Sequence, residues 1–400
     1  MRYEPYDAAS RIQDYLVFGE FGDVNPSITD SSTFTFLNPE TMEEVFEHEI
    51  EGCFLYSRHW NPSNKYLSRA LASLEDTESA HATASGMAAI ACTLLQLCGA
   101  GDHIVCSRTI YGGTYALVKN VLPRFGIDAT FVDTTNLKAV EAAITPRSKV
   151  LYCETISNPL LDVADLRGLA EIANRHGLKL VVDNTFSAMV MTPARLGAHV
   201  VIHSLTKFIN GTSDCVAGCV CASKEFVDDL SNVNSGACML LGPVLDSIRA
   251  ASILKNLHSL HIRMQQHSKN GMALAVGLRD AGYRIHYPGL PEHPQHKLMT
   301  ETMNPGMGYG GMLALDVDTT ERADRLMTLM QEEKVGYLAV SLGYFKTLFS
   351  SPGHSTSSEI PEDERHTMGL SDGLVRISIG LDQDVSRTLD RILGCLKKIA

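Results

Sequence analysis

The chain lacks any run of about 18 apolar residues, the length that spans a bilayer, so no membrane segment is expected. Its start, Met1-Arg2-Tyr3-Glu4-Pro5-Tyr6-Asp7, has no apolar stretch of the signal-peptide kind. A C-x-x-C pair is missing as well. The ten cysteines are scattered, mostly among apolar neighbours, where a thiol behaves as a small hydrophobe. A reduced, cytoplasmic protein is expected. Positive charge is in deficit: 34 Lys plus Arg stand against 46 Asp plus Glu, a formal net charge of −12. That balance repels phosphate backbones and disfavours a nucleic-acid partner, while leaving room for a local pocket for one small anion. Internal repeats and low-complexity tracts are also wanting.

What is present is ordinary globular material, 44% hydrophobic and 20% charged over 400 residues. A chain of this length buries about three quarters of its unfolded surface and needs no disulfide or metal to fold. Residues 1–60 are turn-rich, with Asn25-Pro26 and Asn38-Pro39, and show little periodicity. They read as an arm that needs a surface to lie on, its own or a neighbour's. From about residue 66 the pattern changes. A helical spacing over 66–76 precedes short β-branched runs at 104–106, 129–132, 149–153, 179–182 and 199–203, separated by helix-like segments at 111–123, 135–143 and 164–176. This rhythm predicts an α/β domain with a mostly parallel sheet, whose ligands bind beyond the C-terminal strand ends. Residues 244–282 read as one long helix. Strand-like 312–317 and 375–379 flank a helix at 320–333 and predict a smaller α+β domain. The expected division is an arm over 1–60, an α/β domain over 61–250 and an α+β domain over 251–400. The run 362–365 reads as a solvated face.

Two strand ends carry chemistry. Val181-Val182-Asp183-Asn184-Thr185 ends one apolar run in a carboxylate, and Ser204-Leu205-Thr206-Lys207 follows the next. Alone, Asp183 reads as a helix cap and Lys207 as a surface lysine. Together they end consecutive strands and point into one crevice. Pyridoxal phosphate (PLP) chemistry needs this pair: an amine to form an imine with the aldehyde, and a carboxylate to keep the pyridine nitrogen protonated. Apolar walls around the lysine favour its free amine. Ser85-Gly86-Met87 opens a helix and offers free backbone N–H groups to an anion, with Ser204 and Thr206 able to add hydroxyls. Tyr111-Gly112-Gly113-Thr114 lets a ring lie close to a ligand, though a plain turn reads equally well. Other strings are set aside. Ser204-x-x-Lys207 lacks the companion motifs of a serine hydrolase. Gly306-x-Gly308-x-x-Gly311 enters a strand-like run rather than a helix and reads as a loop. The pairs His258/His261 and His293/His296 lack a third ligand and read as solvated.

With Tyr56-Ser57-Arg58, Glu154-Thr155-x-Ser157-Asn158-Pro159, Ser341-Leu342-Gly343 and Gly373-Leu374-Val375-Arg376 added, the chain resembles the Cys/Met-metabolism family of PLP enzymes along nearly its whole length. The resemblance implies fold type I, the aspartate-aminotransferase-like architecture. It implies that Lys207 is the Schiff-base lysine and proton shuttle, and that Asp183 pairs with the pyridinium nitrogen. Tyr111 would stack on the ring and protonate a leaving thiolate. Gly86, Met87, Ser204 and Thr206 would hold the phosphate, while Asn158 and Thr185 support the cofactor. Tyr56 and Arg58 would reach the phosphate of a neighbouring subunit in a homotetramer built as a dimer of dimers. Ser341 and Arg376 would hold the substrate carboxylate, Arg376 by a bidentate fork.

The resemblance implies a small sulfur-containing amino acid as substrate. Val340 stands where cystathionine-using relatives commonly carry a glutamate. An uncharged side chain suits a methyl thioether, and an ammonium left unpaired there is costly. The branch this resembles is methionine γ-lyase. The runner-up is cystathionine cleavage or γ-replacement on an O-acyl-homoserine, and an inactive homologue with an assembly role is the remote third. Gly113 and Val233 stand where some methionine γ-lyases carry a cysteine and an aspartate, so strict methionine preference is not implied.

Overall fold

A computed structural model describes residues 7–16, 19, 21–47, 50–354 and 370–399. Residues 1–6 of the arm and the run 362–365 lie outside the described residues.

The larger sheet has seven strands: β1 (Ser79–Thr83), β2 (His103–Ser107), β3 (Asp128–Val132), β4 (Ser148–Glu154), β5 (Lys179–Asp183), β6 (Val200–Ser204) and β7 (Gly218–Ala222). Their spatial order is β1-β7-β6-β5-β4-β2-β3. The five from β3 to β6 run parallel, whereas β7 is antiparallel to both neighbours. The parallel strands are buried on both faces, which is why each reads as a continuous apolar run. Val181, Val200 and Ile202 pack with helix Gly86–Leu97 on one face, while Val182, Val201 and Leu180 pack with helix Pro62–Glu75 on the other.

A second sheet holds β8 (Arg284–His286), β9 (Met312–Asp316), β10 (Gly336–Leu338), β11 (Thr347–Ser350) and β12 (Leu374–Ser378), in the order β10-β11-β12-β9-β8. Only the β10–β11 pairing is parallel. Helices Leu260–Asp280, Thr320–Glu332 and Val385–Lys397 close its core through Leu274, Leu326 and Ile392. The fold is thus the α/β architecture expected, a mostly parallel sheet with a smaller second sheet.

Three details differ from the sequence expectation. The 244–282 segment is two helices, Ser247–Leu257 and Leu260–Asp280, broken at His258 and Ser259. Strands β1 and β7 join the sheet although neither stands out by pattern: β1 is polar in part, and β7 carries Gly218 and two cysteines. His293 is buried rather than solvated and accepts the Gln295 N–H at 3.2 Å. The arm lies partly on its own chain. Helix Ala8–Asp14 buries Ala8 and Ile12 near helix Pro62–Glu75, and Arg11 pairs with Asp76 at 3.0 Å. Gly306–Gly311 does form a turn before β9.

Candidate active site

A cleft of about 390 Å³ opens at the C-terminal ends of β4, β5 and β6, where a parallel sheet presents its ligand site. Its walls include Gly86, Met87, Tyr111, Asn158, Asp183, Thr185, Ser204, Thr206, Lys207, Val340 and Arg376. Eleven of the fourteen residues singled out by sequence therefore line one cavity. Ser341 reaches it through its hydroxyl. Tyr56 and Arg58 do not line it: they stand at the surface, where Arg58 donates to the Met239 carbonyl at 3.0 Å.

The two sides of the cleft are assembled differently. On the sheet side, Thr185 donates its backbone N–H and its hydroxyl to Asp183 Oδ1 at 3.0 and 2.6 Å, fixing the carboxylate. The Ser204 N–H donates to Thr185 Oγ at 2.9 Å, so the ends of β5 and β6 are stitched together. Burial raises the Asp183 pKa against those hydrogen bonds, and an opposing cation would lower it again. Helix Gly86–Leu97 starts with Ser85 as N-cap, its Oγ accepting the Ala88 N–H at 3.0 Å. A Cβ on Gly86 would meet Ser204 Cβ at 2.8 Å, so only glycine lets this helix start come down onto the strand end. The Thr206 hydroxyl exchanges hydrogen bonds with the Ala217 backbone, which orders the turn leading to Lys207.

On the other side a loop after β10 carries Val340 to Gly343. A Cβ on Gly343, at φ +80°, would meet the Phe208 backbone nitrogen at 2.5 Å. That close approach brings Ser341 to Lys207, whose Nζ donates to Ser341 Oγ at 3.1 Å. Arg376, buried in β12, donates to Asn158 Oδ1 at 3.1 Å and approaches the Val340 carbonyl at 3.4 Å. Burial lowers its pKa to about 10. Burial, with Arg376 second, lowers Lys207 to about 8, which leaves about a tenth of the amine free at pH 7, far more than an unperturbed lysine offers.

Glu154 is the residue to which sequence reasoning gave no role. One oxygen accepts the Tyr111 N–H at 2.7 Å and the other the Asn158 N–H at 2.8 Å. A signal was available: Glu154 ends β4 as Asp183 ends β5. The two carboxylates sit close enough for burial and mutual repulsion to raise the Glu154 pKa well above its usual range.

A family model described as Cys/Met metabolism PLP-dependent enzyme matches residues 14–391. The chain belongs to that family. It is a PLP-dependent enzyme, and pyridoxal phosphate is its cofactor. A methionine gamma-lyase of Arabidopsis thaliana is 46% identical over 369 residues, 91% of this chain and 84% of that protein. A cystathionine gamma-lyase of Bacillus subtilis is 38% identical over 84% of this chain and 89% of its own length. A solved structure from Campylobacter jejuni that holds N′-pyridoxyl-lysine-5′-monophosphate superposes with a TM-score of 0.91 at 25% identity, covering 98% of this chain and 100% of that one. The residues present fit the cofactor: a partly desolvated amine and a buried carboxylate in one cavity, beside a helix start whose close approach a Cβ would block. Among the described residues no helix is long and apolar enough to cross a membrane, and no His, Cys, Asp and Glu cluster could hold a metal.

Proposed function

We propose that the protein cleaves L-methionine by γ-elimination, consuming water and releasing methanethiol, 2-oxobutanoate and ammonia. One observation carries this reading. Among the described residues the carboxylates lining the cleft are Asp183 and Glu154, and both are engaged: Glu154 by two backbone N–H groups, Asp183 by the N–H and hydroxyl of Thr185. The exposed side chains at the mouth, Val216 and Val340, are uncharged. Among the described residues a distal ammonium would find no free carboxylate there, whereas a methyl thioether asks for none.

Pyridoxal phosphate, when bound, supplies an electron sink that acidifies the substrate Cα–H. The chain's own residues do the rest. Arg376 holds the substrate carboxylate with its fork, and Ser341 adds a hydroxyl. Lys207, as free amine, takes the Cα proton and serves again at Cβ. Tyr111 stands at the mouth and gives a proton to the leaving sulfur. Asp183 keeps the ring nitrogen charged, and Thr185 and Asn158 support the ring. Gly86, Met87, Ser204 and Thr206 supply donors for the phosphate. Lys207, Asp183, Tyr111 and Arg376 together also argue against an inactive homologue.

Incubation of the pure enzyme with methionine, cystathionine and O-acetylhomoserine, with and without added thiol, tests the reading. Methanethiol and 2-oxobutanoate from methionine are the expected products. A kcat/KM several-fold higher for cystathionine would overturn it in favour of the runner-up, cystathionine cleavage or γ-replacement.

The finer assembly belongs here too. We infer a homotetramer of dimers, in which Tyr56 and Arg58 complete a neighbour's phosphate site. Leu16, Phe21, Val24 and Leu37 are exposed apolar side chains in the arm, suited to cover by a second copy. Sedimentation analysis checks this. Ten free thiols suit a reducing compartment, so we place the protein in the cytoplasm. The divisions at residues 60 and 250 stand as proposed domain bounds.

A further inference from the structure

Glu75 and His203 form a buried ion pair on the face of the large sheet opposite the cleft, with Glu75 Oε1 2.7 Å from His203 Nε2. The same oxygen accepts the Asn184 side-chain N–H at 2.8 Å. Glu75 Oε2 and His203 Nδ1 are buried and, among the described residues, find no hydrogen-bond partner. Such an arrangement calls for an explanation. A buried pair is seldom more stabilising than a well-packed apolar one, and each unsatisfied polar atom adds a cost.

Position supplies the explanation. Asn184 directly follows Asp183 at the end of β5, and His203 directly precedes Ser204 at the end of β6. Side chains alternate faces along a strand. Asp183 and Ser204 therefore face the cofactor side, and Asn184 and His203 face helix Pro62–Glu75, whose last residue is Glu75. That helix end is itself anchored. Asp76 caps it in the left-handed region at φ 55° and pairs with Arg11 and Arg195 at 3.0 and 2.7 Å.

We propose that Glu75 is a positioning residue for the cofactor site: one of its oxygens ties Asn184 to His203 behind the sheet and so sets the spacing between Asp183 and the Ser204–Lys207 segment in front. The link complements the front-side stitch from the Ser204 N–H to Thr185 Oγ at 2.9 Å, so the two strand ends are held from both faces. Charge works in the same direction. Burial alone would lower the His203 pKa, but the Glu75 hydrogen bond and charge, with Cys219 and Asp183 behind them, raise it to about 8. The resulting imidazolium favours an ionised Asp183. Among the described residues, Cys219 and Cys221 on β7 are further titratable groups packed around the pair.

The inference rests on the reading of Asp183 and Lys207 as cofactor ligands, and the two are tested apart. Borohydride reduction of wild-type holoenzyme followed by peptide mapping tests the site: modification of a lysine other than Lys207 sinks that reading. The clamp is tested by pyridoxal phosphate affinity of the apo-protein, a readout independent of turnover. Glu75→Gln keeps an oxygen for both acceptor bonds and is expected to hold the cofactor within about threefold of wild type. The double variant Glu75→Met with His203→Leu replaces the pair by apolar side chains, which suffices for a merely structural role. It is expected to melt near the wild-type temperature yet bind the cofactor at least about tenfold more weakly. Wild-type affinity in the double variant overturns the proposal, as does a loss in Glu75→Gln equal to that of the double. Should the double variant fail to fold, Glu75→Gln with His203→Leu keeps the Asn184 bond and removes only the β6 half of the clamp. There a loss of about threefold is expected, and unchanged affinity overturns the proposal equally.

Discussion

Asp183, Glu154 and Ser204 stand at the ends of three strands of one sheet, whereas Ser341 and Val340 stand on a loop of another. The first group is held from several directions. Asp183 is 9% exposed and bonded to Thr185, and Glu154 is spanned by two backbone N–H groups. The second group is not: Val340 is 62% exposed. Arg376 belongs to the second sheet yet behaves like the first group, being 2% exposed and fastened to Asn158. The contrast is one of tolerance. A cofactor common to many reactions needs a fixed frame, and the side-chain end of the substrate can be reshaped by one loop position without disturbing that frame.

The frame is broken most directly at Lys207. Replacing it with Ala removes the amine we propose moves protons at Cα and Cβ, and kcat for 2-oxobutanoate formation should fall by about 10²–10⁴-fold. The phosphate contacts remain, so weak cofactor binding should persist in equilibrium dialysis. A variant that keeps wild-type turnover would remove Lys207 from the mechanism.

The same residue sets a pH dependence. Its pKa is lowered to about 8, so the nucleophilic free amine predominates above that pH and is protonated below it. Attachment of the cofactor to apo-protein, followed by absorbance, should slow roughly fiftyfold between pH 8, where about half the amine is free, and pH 6. Arg376 contributes to the lowering, so Arg376→Ala should move the midpoint to higher pH. A midpoint near the ordinary lysine value in the wild type would contradict the desolvated site.

This division also explains what was legible beforehand. Asp183 and Lys207 are visible because a charged residue ending an apolar run breaks the local pattern, and the βαβ rhythm says where such ends point. The second sheet's contribution is legible only through the family resemblance, since Ser341 reaches Lys207 by a tertiary approach that depends on Gly343 against the Phe208 backbone. Glu75 and His203 leave no local mark. A glutamate at a helix end reads as solvated, and its partner lies 128 residues away. The antiparallel β1 and β7 are hidden for a related reason: their place in the sheet is decided by pairing with each other and with β6, not by their own composition.

Arg376 tests whether the second sheet can share the rigidity of the first. Arg376→Lys keeps a cation but loses the fork, along with one link to Asn158 or Ser350. Loss of one charge-assisted hydrogen bond, about 1.5–3 kcal/mol, corresponds to a drop in kcat/KM of roughly 10- to 150-fold. It should appear mainly in KM, because the carboxylate is held alike before and during reaction. An equal fall in kcat with unchanged KM would instead mark Arg376 as part of the reacting centre.

Val340→Glu is the mildest change and the one that sharpens the contrast. The Val340 carbonyl lies 3.4 Å from Arg376 Nη2, so a glutamate here introduces a carboxylate at the mouth beside the proposed substrate-carboxylate site. Two effects compete. The new charge gives the distal ammonium of cystathionine a partner, and it also offers Arg376 an alternative to the substrate carboxylate. The second effect raises KM for every substrate alike and cancels in a ratio. The first does not cancel. The cystathionine-to-methionine ratio of kcat/KM should therefore rise about tenfold, within the 1–3 kcal/mol that a single pocket change commands. Cofactor affinity should stay unchanged, because the loop is not part of the strand-end frame. A constant ratio, with both rates lowered together, would show that position 340 acts only through Arg376 and that the loop does not select the substrate.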